Sequence, residues 1–214
     1  QKKSVKEFLL KIIDKRNNSS MIYGKDWKIR KGVLFYEDEK IDLTSLSLLG
    51  KHQYFNAGCA VIACKKNNNL KINNKLIIEG LQEINWPGRL QKLKGKLKRK
   101  YNCIDIWIDA AHNEMGFEVL GDWLKEKKIN NPVIILGLGI NKDLNSIVTR
   151  LKKIDPVLLC LVKNIKVNNH KPEVIKKITE FHNIHALISK NLSSSLVLCN
   201  KLMQKRKITN LIIT

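Results

Sequence analysis

The chain has 214 residues, 43% hydrophobic and 28% charged, which is long and apolar enough to bury a sizeable core and excludes a disordered polyelectrolyte. No apolar run approaches the roughly 20 residues a membrane-spanning helix needs. Forty Lys and Arg against 19 Asp and Glu leave a net charge of +21, but the excess is mostly lysine spread along the whole chain among many Asn and Ile, which argues for a compositional bias over a clustered nucleic-acid footprint.

The start, Gln1-Lys2-Lys3-Ser4, is not a Met and runs into an amphipathic pattern in place of a secretory leader. Val5, Phe8, Leu9, Ile12 and Ile13 fall at helical spacing, and Asn17-Asn18 ends that helix. Residues 27–43 read as a short hairpin, with turns at Arg30-Lys31-Gly32 and at Glu37–Lys40. A helix follows Gly50 over 54–65 and ends in the polar loop Asn67–Asn69, and another spans Asn74–Glu83. Trp86-Pro87-Gly88 is a strong breaker and the expected domain boundary. The basic run Lys92–Tyr101 reads as a solvated face or loop.

Beyond it the rhythm changes. Strands are expected at Cys103–Asp109, Pro132–Leu138, Val157–Val162, His185–Ile188 and Asn210–Ile213, with helices between them at Met115–Lys127, Leu144–Lys153, Pro172–Phe181 and Ser194–Lys205. Strands apolar throughout and alternating with helices predict βαβ units, hence a mostly parallel sheet with helices on both faces. In such α/β folds a ligand sits at the carboxyl ends of the strands.

Three groups of residues suit that place. Asp109-Ala110-Ala111-His112-Asn113 follows the first of these strands, although Asp109 could serve only to accept loop N–H groups and Asn113 only as a helix cap. Pro87-Gly88-Arg89 projects a guanidinium whose planar fork suits phosphate or carboxylate, or is a plain surface cation. His52 and Asn56 share one face of a helix start, where ordinary capping would also explain them. Gly50-Lys51 is no phosphate loop, since His follows the lysine. Gly137-Leu138-Gly139 fails as a dinucleotide fingerprint, because Lys142 takes the third glycine's place. The five cysteines, Cys59, Cys64, Cys103, Cys160 and Cys199, contain no CxxC pair and sit mostly in apolar runs, as buried small hydrophobes would; a reducing cytosol is the compartment expected. The five histidines offer no zinc pattern, and no metal ligand is assigned.

In order, the chain contains LLGKHQYFNAGCAV, EGLQEINWPGRLQ, IWIDAAHNEMGFEVL and VIILGLGINKD. This series resembles the folylpolyglutamate synthase/dihydrofolate synthase branch of the Mur ligase superfamily, with its G-x-HQ-xx-NA helix, WPGR interdomain turn, D-x-AHN strand end and later KD pair. The resemblance covers about residues 48–143, and the βα rhythm continues to 214. It implies that residues 1–85 are the tail of a P-loop ATPase-type domain and 86–214 a Rossmann-like glutamate-ligase domain lacking its last segment. It implies ATP contacts from Asn56, Arg89 and Asp109 on the outer side of a cleft, with Gln53 close by. His112 and Asn113 would form the catalytic element at the phosphates or the incoming glutamate, while Lys142 and Asp143 match the KD pair, role open.

The implied activity is ATP-dependent ligation of L-glutamate to folate or dihydropteroate through an acyl phosphate. The partners implied are small molecules, with no membrane and no nucleic acid, and a monomer is expected. ATP and Mg²⁺ are the implied cofactors, but the glycine-rich phosphate loop, the magnesium ligands and the carbamylated lysine lie in an N-terminal domain that this sequence does not contain. By itself the chain is expected to bind ATP poorly and to turn nothing over. Glu114 stands where the family usually has proline. Two other readings stay open: a basic α/β module that binds nucleic acid, and a decayed, non-catalytic remnant of the ligase.

Overall fold

The structure, a computed structural model, describes residues 3–67, 69–70, 72–101, 104–162 and 168–214. Gln1, Lys2, Asn68 and Cys103, named above, lie outside the described residues. The chain divides into two compact units, residues 1–47 with 51–84 and residues 48–50 with 85–214. Among the described residues no helix is long and apolar enough to cross a membrane.

The first unit opens with helix α1 (Lys3–Lys15), followed by strands β1 (Trp27–Arg30), β2 (Val33–Tyr36) and β3 (Glu39–Asp42) and helices α2 (His52–Lys66) and α3 (Asn74–Glu83). The expected hairpin is in fact a three-stranded antiparallel meander, because each of the two turns closes its own strand pair. Lys31 (φ 49°) and Gly32 (φ 78°) make the first turn; two left-handed residues match the twist of the strands they join. Trp27, Leu34, Tyr36, Ile41 and Leu43 point to one side and pack with Ala57, Val61 and Ile62 of α2 and Ile77 and Leu81 of α3. A Cβ on Gly58 would lie 2.7 Å from the Trp27 ring, so the absence of a side chain is what lets α2 approach β1 this closely.

The second unit contains β4 (Gln91–Lys92), α4 (Lys96–Lys100), β5 (Asp105–Ile108), α5 (Glu114–Glu126), β6 (Val133–Leu136), α6 (Leu144–Ile154), β7 (Leu158–Val162), α7 (Pro172–Phe181), β8 (Ala186–Ser189), α8 (Leu192–Arg206) and β9 (Asn210–Ile213). Its six strands lie in the order β4-β5-β9-β6-β7-β8, all parallel except β4, which pairs antiparallel with β5 at the edge. The run expected as a solvated face or loop, Lys92–Tyr101, thus begins on the second residue of a two-residue edge strand and contains a short helix. Its lysines suit an edge that must not recruit another strand.

From β5 to β8 the chain advances in one direction across the sheet, so right-handed crossovers put α5, α6 and α7 on one face. There Phe117, Leu120, Ile147, Leu151 and Ile175 cover Ile134, Leu136, Leu159 and Leu161. The step from β8 to β9 runs backwards into the slot between β5 and β6, which sends α8 to the opposite face. There Leu196, Cys199 and Met203 cover Val133, Ile135, Leu158 and Cys160. Successive strand residues alternate between the two cores, as the pleat requires. Cys160 and Cys199 are buried as expected; Cys59 is exposed, because it lies on the outer side of α2.

Candidate functional site

Parallel pairing to β9 brings the end of β5 to the sheet's carboxyl edge, where Asp109 N donates to Ile213 O at 3.0 Å. The half-buried Asp109 carboxylate is divided between two loops. Its Oδ2 accepts from Leu90 N and its Oδ1 from Ala111 N, both at 2.9 Å. One side chain thereby fastens the Pro87–Leu90 turn to the loop that follows β5. Gly88 (φ 76°) and Leu90 (φ 46°) are both left-handed and bracket Arg89. A leucine there costs about 1 kcal/mol; burial of its side chain to 2% exposure and the bond to Asp109 hold it in place. Arg89 itself is exposed.

His112 is exposed, and its Nδ1 lies 2.7 Å from Ala110 O. A carbonyl can only accept, so Nδ1 carries the proton and Nε2 is the ring atom left for another partner. Asn113 is the cap of α5, its Oδ1 accepting from Gly116 N at 2.8 Å. Gly116 permits the close return of the loop, since a Cβ there would sit 3.1 Å from Ala111 Cα. Thr214 Oγ1 donates to Ala111 O at 2.7 Å and braces the same loop from β9. Glu114, in the first turn of α5, accepts from Arg150 Nη2 of α6 at 2.8 Å, and Arg150 also meets Glu118 at 3.2 Å.

The loop after β6 forms a second ledge on this edge. Asp143 caps α6 through Asn145 N and Ser146 N. The segment 168–170 straps the loop: Ile140 N donates to Asn168 O, His170 N to Leu138 O, and His170 Nε2 meets Lys142 O at 2.9 Å. Nothing local in the sequence marked His170, Thr214 or Arg150 as supports, because each acts on a residue distant along the chain.

In the first unit, Gln53 is 4% exposed while Asn56, one turn on, is exposed and donates from Nδ2 to Gln53 Oε1 at 3.0 Å. That bond leaves the Asn56 carbonyl oxygen as an outward acceptor. The second unit therefore joins the Arg89 turn, Asp109, His112 and Asn113 into one hydrogen-bonded corner, and the first unit joins Gln53 to Asn56. Among the described residues, surface hollows of the second unit elsewhere include ones of about 240 Å³ and 200 Å³ along the α5–α6 seam around Gly121, and one of about 490 Å³ beside Lys92–Arg99. Among the described residues no group of three or more His, Cys, Asp or Glu side chains could hold a metal ion.

No protein-family model matches the chain. The dihydrofolate synthase/folylpolyglutamate synthase of Bacillus subtilis (strain 168) is 26% identical to it over 142 residues, 64% of this chain and 30% of that protein. The folylpolyglutamate synthase of Mycobacterium tuberculosis, solved with ADP and AMPPCP, matches the fold with a TM-score of 0.86 at 19% identity, over 100% of this chain and 50% of that one. A bifunctional folylpolyglutamate synthase/dihydrofolate synthase with Mn, AMPPNP and L-glutamate bound matches at a TM-score of 0.75 and 14% identity, over 97% and 47%. The chain resembles these synthases in sequence and shares their fold, and it spans about half the length of the solved chains it matches.

Proposed function

We propose that the chain is the C-terminal portion of a folylpolyglutamate synthase/dihydrofolate synthase, a ligase that uses ATP to join L-glutamate to a folate or dihydropteroate carboxylate. The observation that carries this reading is the Asp109 clasp. It binds the Trp86-Pro87-Gly88-Arg89 turn to the Asp109–Asn113 loop at the carboxyl edge of a parallel sheet, in a fold shared with ADP-bound synthases. Two motifs that are weak singly are thus made into one corner by a single carboxylate.

In the proposed reaction the acceptor carboxylate takes the γ-phosphoryl group of ATP, breaking the bond to ADP. The amine of glutamate then attacks the acyl phosphate, loses a proton, and phosphate leaves. Such chemistry depends chiefly on positioning and on neutralising phosphate charge. Arg89 supplies a planar cation for that charge. Asn56, steadied by Gln53, offers amide groups to the nucleotide. His112 presents Nε2, and Asn113 the amide nitrogen left over from capping, toward the phosphates or the incoming glutamate. Asp109 holds the Arg89 turn and the His112–Asn113 loop in register. Mg²⁺ neutralises phosphate charge when bound, and its ligands are assigned to the N-terminal part of the enzyme.

The test is to fuse this chain in frame behind the nucleotide-binding half of a relative and measure glutamate-dependent ADP release with a pteroate or folate acceptor. The fusion is expected to turn over, and Arg89→Ala to lower kcat/KM about 100-fold, as loss of one charge-stabilising donor does. Turnover indifferent to Arg89→Ala removes that residue's role, and a well-folded fusion without glutamate-dependent turnover removes the ligase reading.

A further inference from the structure

The positive charge of the chain is densest at one edge of the second unit. Lys92, Lys94, Lys96, Lys98, Arg99 and Lys100 crowd into β4, α4 and the turn between them. Gly95 (φ 80°) makes that turn, and Arg99 N donates back to Gly95 O at 3.1 Å. The run bends around a hollow of about 490 Å³ lined by Lys92, Leu93, Lys94, Gly95, Lys98 and Arg99. Asp105 answers two of these cations, accepting from Lys92 Nζ at 2.7 Å and lying 3.7 Å from Lys98 Nζ. Lys98 also donates to Ile104 O at 2.6 Å, so it belongs to the scaffold. Lys94, Lys96 and Arg99 are exposed, and among the described residues no acid pairs with them.

We propose that this hollow holds the oligoglutamyl tail of an acceptor that already carries several glutamates. The inference rests on the ligase reading above and adds where the glutamates already joined are held. Ligation consumes one acceptor carboxylate and brings in the two of glutamate, so each turnover adds one negative charge to the tail. Such a tail calls for a row of cations beside the corner that does the joining. Lys94 stands four residues beyond Leu90, whose N–H the Asp109 carboxylate holds. Leu93 N donates to Ile106 O at 2.8 Å, which keeps the chain between them along β5. At a strand's rise those four residues span about 13 Å. Leu93 and the lysine stems give an apolar floor for the methylenes of the tail, under a rim of cations for its carboxylates. Two observations turn the choice away from nucleic acid. Among the described residues no aromatic side chain lines the hollow, so bases have nothing to stack on. Its volume also falls in the range of small-ligand sites, about 300–1,000 Å³.

The test titrates the full 214-residue chain with γ-linked tetra-L-glutamate by calorimetry. Saturable binding is expected, weakening as salt rises. Lys94→Ala/Arg99→Ala should weaken it roughly tenfold. Lys152→Ala/Lys205→Ala, which removes the same charge from exposed positions of α6 and α8, should stay within about twofold of the parent. Far-UV circular dichroism and melting of both double variants should match the parent, because the altered side chains are exposed. No binding, or equal loss in the two double variants, overturns the proposal. So does an oligo-dT of matched charge that binds more tightly than tetraglutamate and depends on Lys94 and Arg99. In the fusion described above, the ratio of kcat/KM for a tetraglutamyl over a monoglutamyl acceptor should fall about tenfold in Lys94→Ala/Arg99→Ala. Tail binding beside a fusion without glutamate-dependent turnover removes only the ligase reading. An active fusion whose ratio does not move removes only the tail site.

Discussion

Asp109 shows how much one side chain can carry at the end of a strand. Each of its oxygens takes a backbone N–H from a different loop, so its removal strands two donors beside the core. Asp109→Ala is expected to cost the second unit about 2–3 kcal/mol in urea unfolding, and Asp109→Asn, which keeps one acceptor, about half of that. A cost below about 0.5 kcal/mol would mean that the clasp is not formed in solution. Lost turnover in Asp109→Ala therefore mixes positioning with contact, whereas exposed Arg89 reports contact alone. Glu114 has a use in the fold: it sits in the first turn of α5, where a negative charge is favourable, and pairs with Arg150.

At the scale of elements, the meander is tied to both helices of its unit through Glu39. Lys65 of α2 donates to both Glu39 oxygens at 2.8 and 2.7 Å, and Asn74 of α3 donates to one of them at 2.7 Å. The Lys65 ammonium first, and the Asn74 amide second, hold the Glu39 carboxyl below the usual carboxylate range. A carboxyl whose pKa folding lowers adds stability above its unfolded value of 4.5 and loses it as pH falls through the lower, folded value. The melting temperature of the first unit is thus expected to drop between about pH 5 and pH 3, and Glu39→Gln to shrink that drop. Equal acid sensitivity in parent and variant would assign it elsewhere, with Asp42, lowered by its bonds from Thr44, the next candidate. The edge elements β4 and α4 were hidden for a physical reason. A two-residue strand has no period to detect, and its pairing to β5 comes from the Leu90 turn.

For the whole molecule, the charge of +21 is a background property. The expectation is weak, sequence-indifferent DNA binding, on the order of 10⁻⁴–10⁻⁶ M near physiological salt, with log affinity falling linearly against log salt. Arg89→Ala should change it by no more than any single exposed cation does. Nanomolar, salt-resistant binding in a filter or polarisation assay would instead favour the nucleic-acid module.

Sequence alone determined the α/β class, the helices at 74–83 and 172–181, and the strand at 210–213, because burial on both faces of a strand and on one face of a helix leaves a periodic trace. It also named Asp109, His112, Asn113 and Arg89 through the motifs that contain them. Only the tertiary structure decided that the last strand lies inside the sheet between β5 and β6, that Asp109 joins two loops, that Thr214 braces the loop after β5 and Arg150 the start of α5, and that His170 straps the loop after β6. Periodicity records whether a residue is buried and says nothing of its neighbour. A hydrogen bond between residues as far apart as Ala111 and Thr214 becomes readable only when the sheet has set its strand order.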